Sequence, residues 1–184
     1  GSRAFRLLAS PVTTTTSINA NWQEGQNNTT TSSNSNTTPG FGTHISGDVN
    51  GANGFDATLS GNPSLFTLDN DSQIWLPATN TTDNLVSGTG YRLFVRGSRG
   101  VDLNDNASTA DDTTLRSKGL LQSTLFFNQE TTGVASGDSM FVGNPYQATV
   151  DVNGVLARST NVDTNEYYIW DPNLGARGMY VMVT

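Results

Sequence analysis

The densest cluster of oxygen ligands is Asp102-Leu103-Asn104-Asp105-Asn106, followed closely by Asp111-Asp112. Oxygen side chains at alternate positions, Asp102, Asn104 and Asn106, can converge on one calcium ion, with Asp111 or Asp112 closing the shell. Ala107 stands where an EF-hand has its turn glycine and Thr113 where it has its bidentate glutamate, which excludes that motif. The alternative is a solvated loop of Asx turns between two strands. A smaller pair, Asp69 and Asp71, borders the turn before Gln73-Ile74-Trp75, and two residues do not make a metal site alone.

Hydrolytic chemistry finds little to work with. His44 is the only histidine, and no Gly-x-Ser-x-Gly elbow accompanies it. The three glutamates, Glu24, Glu130 and Glu166, are scattered and the aspartates fall in turns, so no carboxylate pair is selected for glycoside cleavage. With no cysteine there is no thiolate nucleophile, disulfide framework or Cys-based metal site. The chain therefore reads as non-catalytic. Arg96-Gly97-Ser98-Arg99-Gly100 is small and basic enough for an anion, yet lacks the lysine and helix of a phosphate loop, and reads by default as a strand-to-loop exit. For glycan binding the aromatic candidates are Trp22, Trp75, Trp170, Tyr91, Tyr146, Tyr167 and Tyr168. Trp75 and Trp170 sit inside strand patterns, where burial is the usual fate, whereas Trp22 borders a polar loop and is expected to be the exposed one.

The elements that must position these residues are short. A chain of 184 residues suits one domain with a real core. Charged residues make up only 14%, with 16 acidic against 9 basic groups and a pI near 4.4, which argues against a nucleic-acid partner. Lys118 is the only lysine and aspartate greatly outnumbers glutamate, a bias toward turns and away from exposed helix. Residues 24–39 are Thr-, Asn- and Ser-rich and read as a long flexible loop. No apolar run is long enough to span a bilayer, and no signal-peptide pattern is present.

Alternating apolar runs punctuated by turn residues predict strands at 4–12, 17–22, 55–60, 64–69, 73–77, 91–96, 113–121, 125–129, 139–142, 148–152, 167–170 and 179–183. The clearest is 91–96, with Tyr91, Leu93 and Val95 on one face and Arg92, Phe94 and Arg96 on the other. Only 154–158 offers a helical turn. The expected fold is all-β, an antiparallel β-sandwich of jelly-roll or Ig-like type with long polar loops. Asp-Val-Asn-Gly occurs at 48–51 and again at 151–154, which reads as repeated turn chemistry rather than duplication.

Five stretches resemble a module of large secreted and surface proteins of Bacteroidota, exported by the type IX secretion system. They are Phe5-Arg6-Leu7-Leu8-Ala9-Ser10-Pro11-Val12, Gly90-Tyr91-Arg92-Leu93-Phe94-Val95-Arg96-Gly97, Thr114-Leu115-Arg116-Ser117-Lys118-Gly119, Phe141-Val142-Gly143-Asn144-Pro145-Tyr146-Gln147 and Tyr167-Tyr168-Ile169-Trp170-Asp171-Pro172-Asn173-Leu174-Gly175. The resemblance implies an extracellular or outer-surface location. Its implied partners are other parts of the same long protein and the secretion or surface-attachment machinery. It also implies that the module continues past Tyr180-Val181-Met182-Val183 toward a sorting domain, so that the chain reads as an excerpt. Bacteria of this group O-glycosylate serine or threonine after aspartate, and Asp112-Thr113-Thr114 and Asp138-Ser139-Met140 are similar to that signal, making Thr113 and Ser139 candidate acceptors. The expected function is a structural or adhesive module, with a carbohydrate-binding module, calcium-dependent through Asp102 to Asp112, as the alternative.

Overall fold

The computed structural model describes residues 3–31, 36–124 and 135–184. The strongest alternating run forms β7 (Gly90–Val95), which pairs antiparallel on one side with β1 (Ala4–Ala9) and on the other with β5 (Leu65–Asp69). A turn after β5 leads into β6 (Ile74–Pro77), giving a four-stranded sheet of order β1-β7-β5-β6. The strand expected at 91–96 is thus an inner strand of this sheet.

Side-chain alternation gives this sheet two unlike faces. Tyr91 and Leu93, 7% and 0% exposed, point to the inner face together with Leu65, opposite Leu93, and Leu8, opposite Tyr91. There they meet Ile18, Trp22, Ile45, Phe55 and Leu85, and this cluster is the core. Each large apolar side chain buried there contributes about 1.5–3 kcal/mol. Gly90, Arg92 and Phe94 point the other way, beside their cross-strand partners Ala9, Leu7 and Phe5 on β1 and Phe66 on β5.

The core is closed by a helix and by loops. Residues 17–22, expected as a strand, form α1 (Ile18–Trp22). Ser17 caps it, its hydroxyl accepting the Ala20 N–H at 3.1 Å, and Ile18 and Trp22, four apart, bury on one helical face. Apolar residues at 18, 20 and 22 fit either period, and the cap decides for the helix.

Smaller sheets complete the fold. β2 (Val12–Thr14) pairs antiparallel with β8 (Gly119–Leu121), and β3 (Ser46–Asp48) pairs in parallel with β4 (Asp56–Ala57). β9 (Tyr167–Asp171) and β10 (Met179–Val183) form an antiparallel hairpin. The regular elements of the described residues are therefore mostly strands, arranged in small sheets that do not close. The strands expected at 55–60 and 113–121 shrink to Asp56–Ala57 and Gly119–Leu121, and residues 139–142 and 148–151 carry no strand. The predicted strand at 125–129 and Glu130 lie outside the described residues.

The helical turn expected at 154–158 is α2 (Val152–Leu156), with Asp151 accepting the Gly154 N–H at 3.2 Å. In the first copy of the same tetrapeptide, Asp48 instead accepts the N–H groups of Asn50 and Ala52 at 2.7 and 3.0 Å. The repeat is thus shared turn chemistry, an aspartate capping whatever backbone follows. No helix among the described residues is long and apolar enough to cross a membrane.

Candidate functional site

Two arginines, one inside β7 and one just past its end, hold opposite kinds of charged centre. The backbone leaves β7 at Gly97 with φ 123°, where a Cβ would stand 2.5 Å from Asp111 Oδ1. Asp111 accepts the Ser98 N–H at 2.6 Å and the Ser98 hydroxyl at 2.7 Å. Burial acts to raise this carboxyl, and the Ser98 bonds outweigh it and hold the group below the ordinary range. The anion suited to the 96–100 loop is therefore the protein's own.

That closure aims Arg99 inward, where it is 1% exposed against a fully buried Asp56. Arg99 Nη1 donates to Oδ2 at 2.9 Å and Nη2 to Oδ1 at 2.8 Å, a bidentate pair. Asp56 also accepts from Gln23 Nε2 at 3.1 Å, from the Asn28 N–H at 2.8 Å and from the Ile45 N–H at 3.0 Å. His44 Nδ1 stands 3.4 Å from Oδ2 without hydrogen-bond alignment. Burial alone would push the Asp56 carboxyl up; the His44 ring and the Arg99 guanidinium beside it prevail and bring it from 3.8 down to about 2. All three side chains are sealed from solvent, so the cluster clamps segments together and no substrate reaches it. It also docks the polar 24–39 loop at Asn28, while Asn27 donates to the Gly51 and Phe55 carbonyls at 3.0 and 3.2 Å.

Arg92 lies on the outer face of the same sheet. Its Cζ is 4.8 Å from the ring centroids of Phe5 and Phe66 and 4.5 Å from that of Trp75. The register explains this: Phe66 is directly opposite on β5, and Phe5 lies diagonally across on β1, two positions from the opposed Leu7. Among the described residues Arg92 has no carboxylate within 4.0 Å, and its Nε is buried without a partner. Burial among the rings pulls its pKa below the ordinary value, against the opposing influence of Tyr180. Cation–π stacking offsets part of that desolvation, about 0.5–2 kcal/mol per contact.

Further aromatic groups border this cage. Phe141 lies over Gly90, where a Cβ would stand 2.4 Å from its ring, and meets Trp75 edge-on at 5.4 Å. The β9–β10 hairpin is tied to β1 through Phe5, whose carbonyl accepts from Trp170 Nε1 at 2.8 Å and whose N–H donates to the Arg177 carbonyl at 3.2 Å. Trp170 packs on Tyr180 at 4.9 Å. Beside them an open groove of about 490 Å³ runs past Leu7, Phe141, Tyr168, Trp170 and Gln147. It adjoins a second of about 530 Å³ over Pro11, Leu115 and Trp22, and neither is lined by His, Asp or Glu.

The indoles are distributed in the opposite way to expectation. Trp22, expected as the exposed platform, is 3% exposed, stacked edge-on against Tyr91 at 5.4 Å, with Nε1 donating to the Ser117 hydroxyl at 3.2 Å. It belongs to the core because α1 turns it inward, whereas Trp75 and Trp170 are only half-buried. Among the described residues no three His, Asp or Glu groups come close enough to hold a metal ion, a grouping that does not count the amide oxygens of Asn104 and Asn106. Asp102 and Asp105 instead accept the N–H groups of Asn104 and Ala107, both at 2.8 Å, and Asp111 is engaged by Ser98. Asn106 offers its carbonyl to Arg3 at 3.0 Å, and Asp112 is exposed. Asp69 pairs with the Ser72 hydroxyl in the β5–β6 turn. The Thr113 hydroxyl donates to the Gly42 carbonyl at 2.6 Å, while Ser139 lies exposed, its backbone bonded to Gln73. Comparisons with protein-family models, with curated proteins and with solved structures found no match.

Proposed function

We propose that the chain is a non-catalytic structural or adhesive module of a secreted bacterial cell-surface protein, acting outside the cell or on its outer surface. One observation carries this reading: His44 and Asp56, the groups best suited to proton transfer, are fully buried, while the two open grooves described above hold none of their kind among the described residues. On this reading the aromatic outer sheet face is the contact surface, and the sheets belong to an antiparallel sandwich of the jelly-roll or Ig-like type. Its partners are other parts of the same long protein and the secretion or attachment machinery. The half-buried rings of Trp75, Phe66 and Trp170 favour carbohydrate binding as the second reading. In this second reading calcium dependence rests with Asp102 to Asp112, of which Asp111 also accepts from Ser98.

The test is antibody labelling of intact cells expressing the full-length gene, together with retention of the purified chain on whole cells with and without chelator. Labelling without permeabilisation, and retention that survives the chelator, are expected. Labelling only after permeabilisation would sink the surface assignment, and release of product from a panel of glycosides and esters would sink the non-catalytic one.

A further inference from the structure

β1 is an edge strand of the four-stranded sheet, and its outer side is only partly used. The Phe5 N–H donates away from β7, to the Arg177 carbonyl at 3.2 Å, and the opposed Phe94 N–H donates away from β1, to the Ser64 carbonyl at 2.8 Å. Phe5 and Phe94 are therefore a non-hydrogen-bonded pair, and by alternation so are Leu7–Arg92 and Ala9–Gly90. The main-chain N–H and C=O groups of Leu7 and Ala9 thus point off the sheet, and among the described residues they have no hydrogen-bond partner.

These groups border the groove of about 490 Å³, which Leu7, Leu8 and Ala9 line as three consecutive residues. A strand showing a face would line it with alternate residues only, so β1 shows its edge. Tyr168, Ile169 and Trp170 of β9 line the groove in the same consecutive way, and β9 pairs with β10 on its other side. No charged side chain lines it, in a chain of formal charge −7.

We propose that this groove takes an extended, uncharged peptide segment of another protein, added as a strand to β1 through the main chain of Leu7 and Ala9. Two strand edges bordering one groove favour main-chain recognition, and a lining without counter-charge penalises a charged occupant. Leu7 to Ala9 span about 7 Å, so the engaged stretch is about four residues long. A second copy of this chain is disfavoured as the donor. Its uncharged strand β10 is already built into the β9–β10 hairpin, and that hairpin, tied to Phe5 through Arg177 and Trp170, stands where a neighbouring sheet would have to approach β1. The inference goes beyond the reading of the chain as a surface module, since the edge offers the same bonds wherever the chain resides.

Panning a library of short linear peptides on the purified chain, followed by amide exchange read by NMR, tests this. In the free chain the Leu7 and Ala9 amides should exchange fast, and those of Arg6 and Leu8, turned toward β7, slowly. Selected peptides should be uncharged, should slow Leu7 and Ala9 exchange at least tenfold, and should lose binding when alternate amides are N-methylated. Leu7→Pro removes an N–H that β7 does not use, so the fold should be kept while affinity falls at least tenfold. Ile169→Lys, which charges the β9 border, should also weaken binding, and Leu59→Lys, exposed and outside the groove, should match wild type. Slow exchange of Leu7 and Ala9 in dilute free chain would show the edge already occupied by the chain itself, and protection that appears only with dimerisation on sedimentation would make a second copy the occupant. Either result, selection of charged peptides or of none, or indifference to N-methylation would overturn the proposal. Cell-surface labelling judges the adhesive module separately.

Discussion

Arg99 and Arg92 lie seven residues apart, at the end and in the middle of one stretch of chain, yet they solve the burial of a guanidinium in opposite ways. Arg99 is almost wholly buried and meets a carboxylate in bidentate geometry, with every Asp56 oxygen further bonded. Arg92 is only partly covered, rests on three rings and meets no carboxylate among the described residues. The difference separates a charge that organises the fold from one left available for something outside it.

The contrast breaks most easily on the Arg99 side. Arg99→Met leaves Asp56 buried without its main partner, a change that costs about 3–5 kcal/mol. Urea unfolding measures it, and a loss below about 1 kcal/mol would mean that the clamp is not central to stability.

Acid attacks the same clamp more mildly. Asp56 has a pKa of about 2 in the folded chain against 3.8 as its ordinary value. Between those values the unfolded chain binds more protons, so the contribution is present above pH 3.8 and is lost as the pH falls toward 2. The shift corresponds to about 2 kcal/mol. Unfolding curves between pH 5 and about 2 should show this slope, and Asp56→Asn should flatten it at a large cost in neutral-pH stability.

The smallest effect is expected at Arg92. Arg92→Met keeps a long side chain against Phe5, Phe66 and Trp75 and removes a partly desolvated charge, so its stability should stay within about 1 kcal/mol of wild type, on either side. A loss like that of Arg99→Met, read in the same urea experiment, would erase the distinction between the two arginines.

Much of the outer face was legible in the sequence. The alternation at 91–96 placed Arg92 and Phe94 together, opposite Tyr91 and Leu93, and the β5–β6 hairpin followed from Asn70-Asp71 between two apolar runs. What could not be read was the lack of a carboxylate near Arg92, since that depends on what β1, β5 and residues 141 and 180 bring to it. The Asp56–Arg99 pair was equally hidden, because 43 residues separate its members and the small basic loop around Arg99 does not say which anion it meets. Trp22 was misjudged for a local reason: a polar loop follows it, but the helix cap at Ser17 turns its indole inward.

The Asp56 clamp also bears on how the chain folds. One carboxylate collects donors from residues 23, 28, 45 and 99, so several long loops must close before all its bonds exist. Desolvating Asp56 before Arg99 arrives would strand a charge, so the barrier is best crossed with this region still wet. Arg99 variants should then accelerate unfolding far more than they slow folding, which makes the clamp a latch set last, governing how long the native state persists rather than how fast it is found.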